Sequence, residues 1–207
     1  MKKILFWVVL MALITGLGYL IFANLSSPGA LIGELDENSV IVAFGNSITY
    51  GTGTDPDRSY PTVLADLLGI KVINEGVPGE LISQGRKRLP RVLDKYLPQL
   101  VILCEGGNDI LRGRPEQEIA SDLREMLQIL RDRGVDVILL GVPRLDITLE
   151  PADLYSELAE EFQVLYEGKI LKRILANGLL KSDQIHPNAA GYFELASTLA
   201  ELIERHQ

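Results

Sequence analysis

Apolar residues in this chain form one unbroken block, followed by a regular alternation of short continuous runs and helically spaced positions. The block runs from Ile4 to Ala23 (ILFWVVLMALITGLGYLIFA), twenty residues without a charge. As a helix it would be about 30 Å long, matching a bilayer hydrocarbon core. Lys2 and Lys3 precede it and favour a cytoplasmic amino end, which sends the rest of the chain across the membrane. We therefore expect residues 1–25 to be a membrane anchor spanning the bilayer through residues 4–23. The alternative is a signal peptide that is cleaved to release the domain. Its apolar stretch is normally shorter, and Ile21 two positions before Ala23 is a poor cleavage context. Residues 26–38, which open with Ser26-Ser27-Pro28-Gly29, are expected to be a linker, and residues 39–207 the folded domain.

Beyond the linker, four runs rich in β-branched residues predict buried parallel strands: Val40–Phe44, Lys71–Asn74, Leu100–Cys104 and Asp136–Gly141. A fifth, weaker strand is expected near Phe162–Leu165. Helical patterns separate them. Pro115 opens a helix carrying Ile119, Leu123, Met126, Leu127 and Leu130 at 3.6-residue spacing, and Gly134 closes it. Asn188 is placed to cap a last helix with Tyr192, Leu195, Ala196, Leu199 and Ile203 on one face. Tyr60–Leu68 and Leu81–Tyr96 also read as helices, with Pro90 expected to bend or divide the second. Strands alternating with helices imply an α/β fold, a doubly wound parallel sheet covered on both faces. Ligands then belong at the carboxyl ends of the strands.

Composition narrows the function. The formal charge of −8 disfavours nucleic acid as a partner. One cysteine, Cys104, excludes an internal disulfide, and with only two histidines the chain is short of ligands for a zinc site. No metal and no cofactor are expected.

Chemistry-bearing residues gather after the strands. Gly45-Asn46-Ser47-Ile48-Thr49 follows the first and offers Ser47 as a nucleophile at a tight turn, although serine is also a common helix cap. Asn74-Glu75-Gly76-Val77-Pro78-Gly79 follows the second; a backbone N–H at Gly76 could face a ligand, and turn chemistry alone would also explain these glycines. Glu105-Gly106-Gly107-Asn108-Asp109 follows the third and presents the Asn108 amide, or simply an Asx turn. Before the last helix, Asp183 and His186 stand three residues apart, close enough for the carboxylate to hold one imidazole nitrogen. The other histidine, His206, lies beside the carboxyl terminus, leaving His186 as the credible general base. Arg112 and Arg114 follow Asn108, and the sequence assigns them no role.

GNSIT, NEGVPG, GGND and DQIHPN, in this order, resemble the four blocks of the SGNH hydrolases, also called GDSL esterases and lipases. The resemblance spans Val40 to the carboxyl terminus. GGNDILRG and IHPNAAG are similar to its thioesterase I, arylesterase and lysophospholipase branch, which is bacterial and largely periplasmic. The resemblance implies a flavodoxin-like three-layer α/β/α sandwich with a five-stranded parallel sheet. It also implies Ser47 as nucleophile, His186 as base and Asp183 as its orienting carboxylate. The oxyanion hole would comprise the backbone N–H groups of Ser47 and Gly76 and the Asn108 amide. The implied substrate is an acyl ester or thioester, lysophospholipid included, and the implied location is periplasmic: on the inner membrane if the apolar segment is an anchor, free in the periplasm if it is cleaved. Two other readings remain: a carbohydrate O-deacetylase of the same family, and an anchored binding module without activity. Asn46 departs from the family's G-D-S block, where an aspartate usually stands.

Overall fold

The structure is a computed structural model that describes residues 31–144 and 146–207. The expected anchor at 1–25 lies outside the described residues. Among the described residues no helix is long and apolar enough to cross a membrane.

Five strands form one sheet: β1 (Val40–Gly45), β2 (Lys71–Gly76), β3 (Leu100–Cys104), β4 (Asp136–Leu140) and β5 (Leu165–Glu167). All neighbours pair in parallel, in the order β2-β1-β3-β4-β5. Ile41 to Phe44 of β1 and the whole of β3 are fully buried, because both faces are covered by helices. β2 and the three-residue β5 form the edges. The register sets Gly45 level with Gly76 on one side and with Cys104 on the other.

Eight helices surround the sheet among the described residues: α1 (Ser47–Tyr50), α2 (Tyr60–Leu68), α3 (Ile82–Tyr96), α4 (Gly107–Leu111), α5 (Glu116–Asp132), α6 (Asp153–Phe162), α7 (Ile170–Ala176) and α8 (Ala189–Arg205). The chain steps from β1 outward to β2, then back across β1 to β3 and onward. Right-handed crossovers therefore put the β1–β2 helices on the face opposite those that follow β2. α2 packs with α8, while α3, α5 and α6 pack in sequence. This is the expected three-layer α/β/α arrangement.

Several local expectations change. The fifth strand starts at Leu165; Phe162 instead ends α6, and Gln163 reverses the chain with a φ of +55°. α6 itself was not expected, although Leu154, Tyr155, Leu158, Ala159 and Phe162 form its buried stripe. Pro90 does not divide α3, which continues from Ile82 to Tyr96. The lost backbone bond is outweighed because Leu89, Val92 and Leu93, on both sides of the proline, are buried. Within the expected linker, the described residues 31–38 are docked at two points. Ile32 and Leu35 are buried, the Ile32 N–H donates to the His206 carbonyl at 2.8 Å, and the Gly33 N–H donates to Asp136 Oδ2 at 2.8 Å.

Asn188 caps α8 as expected. Its side-chain oxygen accepts from the N–H groups of Ala190 (3.0 Å) and Gly191 (3.1 Å). Its amide nitrogen reaches back to the carbonyls of Leu179 (2.9 Å) and Lys181 (3.3 Å). One side chain thus ties the start of α8 to the loop before it. Asn188→Ala is expected to cost about 2 kcal/mol, the upper end for a lost cap, measured by urea denaturation.

Candidate active site

The carboxyl ends of β1 and β3 open a crevice where the sheet order reverses, and Ser47, Asn108 and His186 line it. Ser47 is the first residue of α1, two residues beyond the end of β1. A first-turn N–H has no intrahelical acceptor, and among the described residues none is offered to that of Ser47. The loop after α1 is fastened by Tyr192 of α8, whose hydroxyl donates to the Thr52 carbonyl at 2.8 Å.

The loop between α7 and α8 brings His186 to Ser47 across 139 residues of chain. Asp183 Oδ1 accepts the N–H groups of Ile185 (2.8 Å) and His186 (2.9 Å), so the carboxylate organises its own turn. Its Oδ2 lies 2.7 Å from His186 Nδ1, and His186 Nε2 lies 2.9 Å from Ser47 Oγ. An ionised carboxylate only accepts, so Nδ1 must carry the hydrogen and Nε2 presents its lone pair to the serine hydroxyl. Partial burial raises the Asp183 carboxyl. Hydrogen bonds from the His186 ring and from both backbone N–H groups outweigh this and hold it below the usual carboxylate range. The stabilisation from these hydrogen bonds is present above the usual carboxylate range and is lost as acid protonates Asp183.

Asn108 lies in the first turn of α4. One hydrogen of its amide goes to the Glu80 carbonyl (2.9 Å), which leaves the other for the crevice it lines with Ser47 and His186. Asp109 beside it is fully buried. It accepts the N–H of Ile82 at the start of α3 (2.9 Å) and Arg114 Nη1 (2.5 Å), locking α4 onto α3. Arg114 therefore has a structural function, holding Asp109.

Gly76 is placed differently from expectation. Its N–H is donated to Asn74 Oδ1 at 3.0 Å, and a Cβ on it would meet the Tyr50 nitrogen at 2.1 Å. It is a close-packing residue beneath α1, and its N–H is engaged. Three residues on, Gly79 turns the chain with φ +80°, a conformation natural to glycine. Its N–H has no acceptor among the described residues, and the carbonyl of the next residue is the one that holds Asn108. Gly79 was within the same sequence motif, but only the hydrogen bonding separates the two glycines.

Asn46 is almost fully buried, yet its side chain makes no capping bond to α1. It borders the crevice with Gly107. Cys104 is not a rival nucleophile, since burial pushes its thiol up to about 12. Among the described residues no group of three or more histidine, cysteine or carboxylate side chains could hold a metal. The crevice is apolar on its remaining sides, lined by Ile48, Ile110, Leu111, Val142, Leu175 and Ile185.

A family model described as GDSL-like lipase/acylhydrolase matches residues 43–192. The chain is similar to the arylesterase of Vibrio mimicus, with 28% identity over 177 residues, 80% of this chain and 88% of that protein. It is similar to thioesterase 1/protease 1/lysophospholipase L1 of Escherichia coli strain K12, with 27% identity over 173 residues, 79% and 83% of the two chains. The crystal structure of TesA superposes with a TM-score of 0.75 at 25% identity, covering 82% of this chain and 100% of that one. That of AlinE4, an SGNH-hydrolase family esterase, gives 0.65 at 31% identity, covering 83% and 98%.

Asp183→Asn replaces an acceptor by an amide that can donate, removing the constraint on the imidazole tautomer. Nitrogen-15 NMR of labelled His186 in neutral solution should show hydrogen on Nδ1 in the wild type and a shift toward Nε2 in the variant.

Proposed function

Because this chain belongs to the GDSL-like lipase/acylhydrolase family, we propose that it hydrolyses carboxylic esters or thioesters through an acyl-enzyme on Ser47. The observation that carries this reading is the unbroken relay from Asp183 Oδ2 through the His186 ring to Ser47 Oγ, with contacts of 2.7 and 2.9 Å. His186 Nε2 takes the serine proton as Oγ attacks the substrate carbonyl. The carbonyl oxygen becomes an oxyanion within reach of the Ser47 N–H and the unused Asn108 N–H. Gly79 is the third donor in this reading, in place of Gly76. One such donor typically contributes about 10²–10³ in rate. His186 then passes its proton to the departing alcohol or thiol. A water molecule, deprotonated by the same ring, releases the acid and restores the serine.

The apolar crevice supports an acyl group longer than acetyl. Aliphatic side chains from α1, α4, α7 and the loops after β4 and before α8 line it, and acyl chains gain by leaving water there. Aryl esters, acyl thioesters and lysophospholipids all meet that description, and relatives of the chain carry the names arylesterase, thioesterase and lysophospholipase. No cofactor takes part in this chemistry.

A fluorophosphonate probe should label the wild type and leave Ser47→Ala unlabelled. In p-nitrophenyl esters and acyl thioesters of graded length, kcat/KM should rise from acetyl to medium-chain acyl groups. Equal labelling of both proteins would remove Ser47 from the reaction, and a preference for acetyl would favour a deacetylase.

The apolar block at residues 4–23 and the two lysines before it support a tether to the inner membrane with the domain on its periplasmic side. In fractionated cells the full chain should sediment with membranes and leave them only in detergent. A soluble form beginning after residue 23 would mean cleavage.

A further inference from the structure

Behind the Gly79–Glu80 turn lies a buried group that the hydrolytic mechanism does not use. Glu105 directly follows β3 and is fully buried. Its carbonyl accepts the Tyr155 hydroxyl (2.8 Å), its Oε2 receives only a long contact from the Gly106 N–H (3.4 Å), and its Oε1 has no partner. Facing it is the buried carboxyl of Glu80, gripped by Arg88 through Nε (2.9 and 3.0 Å) and Nη2 (2.9 Å). Arg88 also reaches Glu75 Oε2 (3.1 Å) and the carbonyls of Glu75 (2.7 Å) and Gly45 (3.3 Å), and it lies over the Phe44 ring at 3.8 Å. The two glutamates converge above Gly85. A Cβ there would stand 3.0 Å from Glu105 Oε1 and 3.3 Å from Glu80 Oε2.

The one guanidinium here bonds Glu80 and Glu75 and leaves the buried Glu105 without a cation of its own, and like charges that close cannot both persist away from water. A proton on Glu105 Oε1 removes the excess charge and gives the orphaned oxygen a partner. We propose that Glu105 is protonated at neutral pH and donates from Oε1 to the Glu80 carboxylate, a positioning pair that fixes the Gly79–Glu80 turn. Through the Glu80 carbonyl this turn sets the Asn108 amide. The proposal rests on the assignment of Asn108 and Gly79 to the oxyanion site.

The surroundings agree. Burial pushes the Glu105 carboxyl well above the usual range, the Glu80 charge adds to this, and Arg88 opposes it. The other titratable groups around it do not supply a compensating cation. Cys104 on its own strand and Tyr155 from α6 are neutral, Glu75 on β2 shares Arg88, and Asp109 on α4 is paired with Arg114.

The test is made on the full chain in detergent, comparing wild type, Glu105→Gln and Glu105→Leu. The unfolded carboxyl ionises above about 4.3 while the native one keeps its proton. Wild-type stability should therefore fall as pH rises. Relative to Glu105→Gln, whose amide donates without titrating, the wild-type folding constant should drop about tenfold per pH unit between pH 5 and 7. A pH-independent ratio would mean an ionised Glu105 and would overturn the proposal. With a medium-chain ester, Glu105→Leu should lose at least about tenfold in kcat with KM within twofold, and Glu105→Gln should stay within threefold of wild type. Equal kcat values in Gln and Leu variants would overturn the positioning role. The stability measurement needs no substrate, so an inactive wild type would defeat the esterase reading without bearing on the buried proton.

Discussion

Backbone hydrogen bonds hold β1 to a partner on each side, and through them the carboxyl ends of β1, β2 and β3 finish at one level. Ser47 begins a helix two residues past that level, the Gly79 turn follows on one flank, and Asn108 on the other. None of these groups is carried on a long flexible loop. Because the three central positions derive from a parallel register, slipping one strand by a residue would turn its side chains to the opposite face and dissolve the site. The Asp183–His186 loop is the one part brought from a distance. It is fixed by its own short-range bonds and by the cap at Asn188.

The site divides its polar and apolar duties. The Asp183 carboxylate divides its hydrogen bonds between its own turn and the His186 ring, and Asp109 and Arg114 are spent on orienting one helix. Between them the crevice is aliphatic. Charge is kept at the back, where Arg88 spans the β1–β2 end and the start of α3. Such an arrangement holds fixed dipoles beside Ser47 Oγ and the His186 ring before any substrate arrives, which is how preorganised donors act most strongly.

Most of the architecture was legible because it is local. The α5 stripe, the Asn188 cap and the four main strands each announce themselves within a dozen residues. The rest depends on geometry that no window contains. β5 is three residues long, and its start is set by a left-handed Gln163 that has no glycine to mark it. The α6 stripe is interrupted by Glu157, Glu160 and Glu161, which weakened its pattern. Ser47, His186, Asp183 and Asn108 were recognisable from four short motifs taken together. Gly76 and Gly79 were not separable, because which N–H is free depends on the Asn74 side chain and on β2 running through Gly76. The meeting of Glu80 with Glu105 over a bare Gly85 is likewise invisible until the chain is folded.

The entry of the chain at Ile32 has an architectural consequence. Ile32 bonds to His206, and Gly33 to the first residue of β4, so the two ends of the domain meet at the amino edge of the sheet. Ser47 lies at the other edge, about 20 Å away for strands of this length. The domain is thus a cartridge with both connectors on one pole. Fusion partners can be spliced to either end, or the ends joined and the chain reopened elsewhere, without crossing the working edge.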